Sequence, residues 1–96
     1  MDGELVHELR AIVRDEDGHA YRCAAYGRKR KDGSWIAWLE FSPVGTGGRT
    51  RRTGRETTQP DRAAVLYWAT GLEPVYLEGA VARAVGTRAG SAASST

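Results

Sequence analysis

The segment "WIAWLEFSP", Trp35 to Pro43, decides how this chain folds. Read as a strand, it puts Trp35, Ala37, Leu39 and Phe41 on one face and Ile36 and Trp38 on the other, because successive side chains alternate. The first set is an apolar face suited to burial. The second places a tryptophan on the opposite side and asks what covers it.

Upstream, "AYRCAAYGRKRKDGS" reads as the partner strand of a hairpin turning at "KDG". A two-residue turn at Asp32-Gly33 would pair Leu39 with Tyr26 and Trp35 with Arg30, leaving Arg22, Arg28 and Arg30 on the Trp35/Leu39 face. A three-residue loop, Lys31-Asp32-Gly33 with a left-handed Gly33, pairs Arg30 with Ser34 instead. Phe41 then faces Cys23, Leu39 faces Ala25 and Ala37 faces Gly27. A one-residue slip inverts every side chain, so burial selects this second register. It sets Trp38 opposite Tyr26, Ile36 opposite Arg28, and Glu40 between Arg22 and Tyr26.

Downstream, "VGTGG" reads as a flexible connection and "RTRRTGR", Arg49 to Arg55, as a third, edge strand whose charge discourages further pairing. In "TTQPDRAAVLYWATGL", Thr58 and Asp61 resemble a capping box, with Pro60 in the first turn. Ala64, Val65, Trp68 and Ala69 form one stripe, and Gly71 fits a left-handed C-cap. That helix is apolar nearly all round. Pro74 opens a second helix with Leu77, Ala80, Val81, Ala84 and Val85 at helical spacing, ending at Gly86. Trp35 and Trp68 are expected in the core. At the other end, "ELVHELRAIVR" spaces Leu5, Leu9 and Ile12 as a helix does, with Asp2 as its cap. A helix is the favoured reading of residues 4–14, and a strand from Glu8 to Arg14, turning at Asp17-Gly18, is the alternative.

The 96 residues make one domain, expected over residues 1–86 with a flexible tail at 87–96. The net charge of +2 hides an asymmetry: residues 1–18 carry six acids and two arginines (−4), residues 19–55 nine bases and two acids (+7), and residues 56–96 the remaining −1. No apolar run is long enough to span a membrane, the start does not follow the order of a signal peptide, and a single cysteine makes no internal disulfide. A cytoplasmic location is the expectation.

Little points to catalysis. His7, His19 and Cys23 lack metal-ligand spacing and read as bystanders, Cys23 as a small buried hydrophobe. "GTGG" lacks the residues and context of a phosphate loop. Glu56 and the threonines after it read as part of a capped helix start. With no carboxylate pair, triad or redox motif, neither an enzyme nor a cofactor is expected. Two surfaces remain. Tyr26, Ile36 and Trp38 form an aromatic–aliphatic patch expected to contact a protein partner, a homodimer being the simplest. Arg28, Arg30, Lys31, Arg51 and Arg52 form a basic strip that, with aromatics nearby, suits single-stranded nucleic acid.

The order of an Asp-Gly turn, an aromatic strand leading to a proline, a Gly-containing link and a Thr-opened helix resembles the HicB-like antitoxin module over roughly residues 20–70. The matching positions are Asp32, Gly33, Trp35, Ala37, Pro43, Thr58, Asp61 and Ala63. The resemblance implies a βββα layout, a protein partner and a non-catalytic role. The expected architecture is therefore α+β: a three-stranded antiparallel sheet with C-terminal helices on one face and an N-terminal helix. The expected function is a protein-interaction module, antitoxin-like, with nucleic-acid binding as the alternative.

Overall fold

The computed structural model describes residues 3–46 and 48–94. An antiparallel sheet carries two helices on one face. Its strands are β1 (Glu4–Arg14), β2 (Ala20–Lys29), β3 (Trp35–Pro43), β4 (Arg51–Arg52) and β5 (Thr57–Gln59), followed by α1 (Arg62–Thr70) and α2 (Pro74–Ser94). The order across the sheet is β1-β2-β3-β4, with β5 also paired to β3.

The β2–β3 hairpin adopts the register that burial selects. Cys23 faces Phe41, Ala25 faces Leu39, Gly27 faces Ala37 and Tyr26 faces Trp38. Its loop is the three-residue one: the Arg30 N–H donates to the Ser34 carbonyl at 2.7 Å, and Gly33 takes φ 92°. Asp32 accepts from the Ser34 N–H at 2.9 Å and from its hydroxyl at 2.6 Å, which fixes the turn and holds the Asp32 carboxyl below its ordinary pKa.

The N-terminal segment is a strand, not a helix. β1 pairs with β2 through the turn at Asp17-Gly18, where Gly18 takes φ 84°. The helix-like spacing of Leu5, Leu9 and Ile12 has a different origin. Two register shifts, between Leu5 and His7 and between Glu8 and Ile12, insert extra residues and break the strict alternation of a strand. Leu9, Ala11 and Val13 then face the core, while Leu5 and Ile12 are 43% and 47% exposed on the other face. Asp2, the expected cap, lies outside the described residues.

The third strand is also divided. Only Arg51–Arg52 of Arg49–Arg55 form a strand, β4, and β5 follows beyond it; with β1 added, the described residues make a five-stranded sheet rather than a three-stranded one. Between them Thr53 is buried; its hydroxyl oxygen accepts from the Leu39 N–H at 3.0 Å and donates to the Gly54 carbonyl at 2.8 Å. Thr58 belongs to β5, and Asp61 alone caps α1, accepting from the Ala64 N–H at 2.8 Å. Gly71 ends α1 at φ −93°, outside the left-handed region. α2 runs past Gly86 to Ser94. Gly47 of the connecting segment, and residues 95–96 of the expected tail, lie outside the described residues.

The core lies between the helices and the sheet face bearing Leu39 and Phe41. Val13, Tyr21, Cys23, Ala25, Leu77, Ala80, Val81 and Ala84 complete it, with Trp68 packed at its margin. Trp35 is half-buried. Tyr21 meets Phe41 edge to face, ring centroids 6.3 Å apart. Glu56 fastens α2 to the segment before β5, accepting from the Tyr76 hydroxyl at 2.5 Å and from Arg83 at 2.6 Å. That pairing, rather than helix capping, is what Glu56 does.

Two substitutions check this packing. Leu39→Ala, at a side chain with no exposure, should cost about 2–5 kcal/mol by chemical denaturation. Gly33→Ala, at a left-handed position with open space around it, should cost only ~1–2 kcal/mol. A Leu39→Ala protein as stable as wild type would place that residue outside the core.

Candidate functional site: the open sheet face

Alternation sends the second set of side chains to the face without helices. Pairing of β1 with β2 and of β2 with β3 aligns Leu5, Tyr26 and Trp38 in one row across three strands, with Ile36 next along β3. Tyr26 and Ile36 are half-buried. Among the described residues neither helix packs on this face. Glu8, Arg22 and Arg28 are exposed around it, and Glu40 is partly so.

Trp38 differs from its neighbours in being only 3% exposed. Its cover comes from its own chain. The Arg52 guanidinium stacks over the ring, 4.3 Å from the centroid. Its Nε1 donates to Glu40 Oε2 at 3.1 Å. Gly3 lies so close that an added Cβ would collide with the indole. The residue expected at the centre of an interface is thus the floor of the patch, and Leu5, which helical spacing had hidden, joins its surface.

The basic strip separates into parts. Arg28, Lys29, Arg30, Lys31 and Asp32 line a shallow concavity at the hairpin tip. Arg52 pairs with Glu40 and Arg28 with Ile36, so they stand four β3 residues apart, about 13 Å along the strand. Arg51 faces the opposite way, pairing with Phe41 on the helix side. There it lies beside the Tyr21 hydroxyl, and its Nε is buried without a hydrogen-bond partner among the described residues. The five bases therefore make no single surface. The division was legible in the alternation of adjacent residues Arg51 and Arg52.

At the β1–β2 turn, Asp15, Asp17 and His19 bring ligand atoms within 4.8 Å of one another. Asp15 is already engaged. It accepts from the backbone N–H groups of Asp17 and His19, each at 2.9 Å, and from the Tyr21 hydroxyl at 3.0 Å. Burial pushes its carboxyl up, but these bonds outweigh burial and hold it below the ordinary carboxylate range. The same contact, with burial, raises the Tyr21 pKa. The cluster serves to order the turn.

Cys23 is buried beneath the helices, and burial pushes its thiol up to about 12. No family model, curated protein or solved structure matches this chain. No helix is long and apolar enough to cross a membrane among the described residues.

The Cys23 thiol should resist labelling by a thiol reagent at pH 8 and react only on unfolding. Its folded pKa lies above the unfolded one, so it contributes stability that is lost as the pH rises from about 9 towards 12. The denaturation free energy of wild type should therefore fall more steeply over that interval than that of Cys23→Ala. Equal slopes, or rapid labelling of the native protein, would contradict the burial of this group.

Proposed function

We propose that the chain is a non-enzymatic protein-interaction module, an antitoxin-like regulator that binds its partner through the open sheet face. The observation carrying this reading is the row Leu5–Tyr26–Trp38 with Ile36 beside it, on a face that no described helix covers. A contiguous apolar patch with a polar rim is the usual anatomy of a contact surface. The rim holds both signs, Glu8 and Glu40 against Arg22 and Arg28, which suits a protein surface of mixed charge better than a polyanion. The floor is rigid, because Trp38 is held by Arg52 and Glu40. A preformed patch loses less entropy on binding than a mobile one. An Asp-Gly turn, an aromatic β3 ending in Pro43 and a following α1 are the features shared with the HicB-like antitoxin module. A cytoplasmic, cofactor-free role belongs to the same proposal, and the unpaired Cys23 suits it.

Single-stranded nucleic-acid binding is the second reading and rests on the cluster of bases at the hairpin tip. It lacks the aromatic platform such binders use. Trp38 is covered by Arg52, and Arg51 lies on the helix side.

Affinity purification from the native cell, followed by reconstitution with the purified partner, separates the two. Tyr26→Ser and Ile36→Asp should each weaken the complex about tenfold or more while leaving the melting temperature within a few degrees, as loss of a patch anchor does. Charge reversal at Arg30 and Lys31 should have little effect. Face variants that bind as tightly as wild type would overturn the proposal. Salt-sensitive oligonucleotide binding abolished by the tip reversals would favour the second reading.

A further inference from the structure

On the open face of β2 the side chains run large, small, large: Arg22, Ala24, Tyr26. The small Ala24 leaves a gap between its neighbours, and β1 shapes the side of that gap. Between the pairs Glu8–Ala24 and Ile12–Arg22, β1 places three residues, Leu9 to Ala11, against Cys23 alone. A bulge of this kind bends a strand and re-aims its side chains. The outcome is a notch of about 200 Å³ lined by Glu8, Arg22, Ala24, Tyr26 and Ser42, with Leu9 and Cys23 at the bulge itself. Glu40, the neighbour of Ala24 on β3, bonds to the Trp38 indole instead and is not part of the lining.

We propose that this notch receives one tyrosine side chain of the protein partner, its ring against Ala24 and Tyr26 and its hydroxyl between Glu8 and Arg22. The assignment rests on the open face being the contact surface, and it specifies what the partner brings there.

Size is the first constraint. A cavity of about 150 Å³ holds a benzene molecule, so the notch has room for one six-membered ring. A hydroxymethyl or carboxamide group would leave much of it empty. Charge is the second constraint. Glu8 and Arg22 bring opposite charges to one notch, and among the described residues neither is in an ion pair. An incoming lysine or arginine would meet Arg22, and an incoming aspartate or glutamate would meet Glu8. Taking a charge out of water beside its like is costly. A neutral group that donates to the Glu8 carboxylate and accepts from the Arg22 guanidinium suits both walls at once.

Among ring-bearing side chains, tyrosine meets both constraints. Phenylalanine has no polar group, and the tryptophan N–H donates but offers no acceptor. Neutral histidine does both, but it gains a positive charge just below neutral pH, against Arg22. Tyrosine joins an apolar body to a polar tip, and its ring beside Tyr26 would form an aromatic pair.

The compound 4-methylphenol, the tyrosine side chain without its backbone, is the probe. In NMR titrations of the full chain it should shift the Ala24 and Tyr26 amide signals saturably, with affinity on the order of millimolar, as suits so few atoms. Toluene, which lacks the hydroxyl, should bind about tenfold more weakly, as should the charged analogues 4-methylbenzoate and 4-methylbenzylamine. Ala24→Leu, which fills the notch, and Arg22→Ala, at an exposed side chain, should each weaken 4-methylphenol about tenfold. Ala24→Leu should also weaken the complex with the purified partner by at least that factor, with thermal melting confirming the fold of each variant. The assignment is overturned by the absence of a saturable shift, by toluene or a charged analogue binding as tightly as 4-methylphenol, or by a partner complex indifferent to Ala24→Leu. If Tyr26→Ser and Ile36→Asp still weaken the complex in those cases, the open face remains the contact surface and only the tyrosine is excluded. If they do not, both fail together.

Discussion

Everything in this fold follows from the register of one hairpin. Pairing Leu39 with Ala25 and Phe41 with Cys23 sends the large apolar side chains of β3 towards the helices. A shift of one residue would put Arg22 and Arg28 on the same face as Leu39 and Phe41, so that no face of the hairpin would be wholly apolar. The three-residue loop with its left-handed Gly33 and its Asp32–Ser34 bonds sets that choice locally. The helices then confirm it by burial, since Leu77, Ala80, Val81 and Ala84 pack with Leu39 and Phe41 in one core. Local turn chemistry and long-range packing thus select the same pairing, as minimally frustrated sequences do.

The same register creates the open face. A two-layer α+β arrangement leaves one side of the sheet without helices among the described residues, and the chain fills the centre of that side from within. Arg52 on Trp38, Glu40 on its indole N–H and Gly3 against its ring turn the largest outward side chain into a floor. What remains at the surface is smaller and mixed in character: Leu5, Tyr26 and Ile36, rimmed by acids and arginines.

The hairpin, its loop and the core faces of both helices were legible in the sequence because each is written in local pattern. Alternation marks β3, a Gly at the third loop position marks the turn, and Leu77 to Val85 repeat at helical spacing. The N-terminal segment was not legible, for a physical reason. Its two bulges insert residues into a strand, and the resulting spacing of Leu5, Leu9 and Ile12 imitates a helix. Only the long-range pairing with β2, which no local window contains, resolves the ambiguity. The basic strip failed differently. Counting arginines by proximity in sequence joined Arg51 to Arg52, whereas alternation in β4 places them on opposite faces of the sheet. Within the open face, Tyr26, Ile36 and Trp38 were read onto one side as the structure has them. The cover over Trp38 came from Gly3 and Arg52, residues on segments whose positions depend on tertiary pairing.

The register itself is open to direct measurement. In solution NMR, cross-strand contacts should join Tyr26 to Trp38 and Ala25 to Leu39. A soluble paramagnetic agent should broaden Leu5, Tyr26 and Ile36 while sparing Leu39 and Phe41. Contacts shifted by one residue, with Leu39 and Phe41 broadened and Ile36 protected, would contradict the assignment of the two faces on which the fold and the proposed interaction surface both rest.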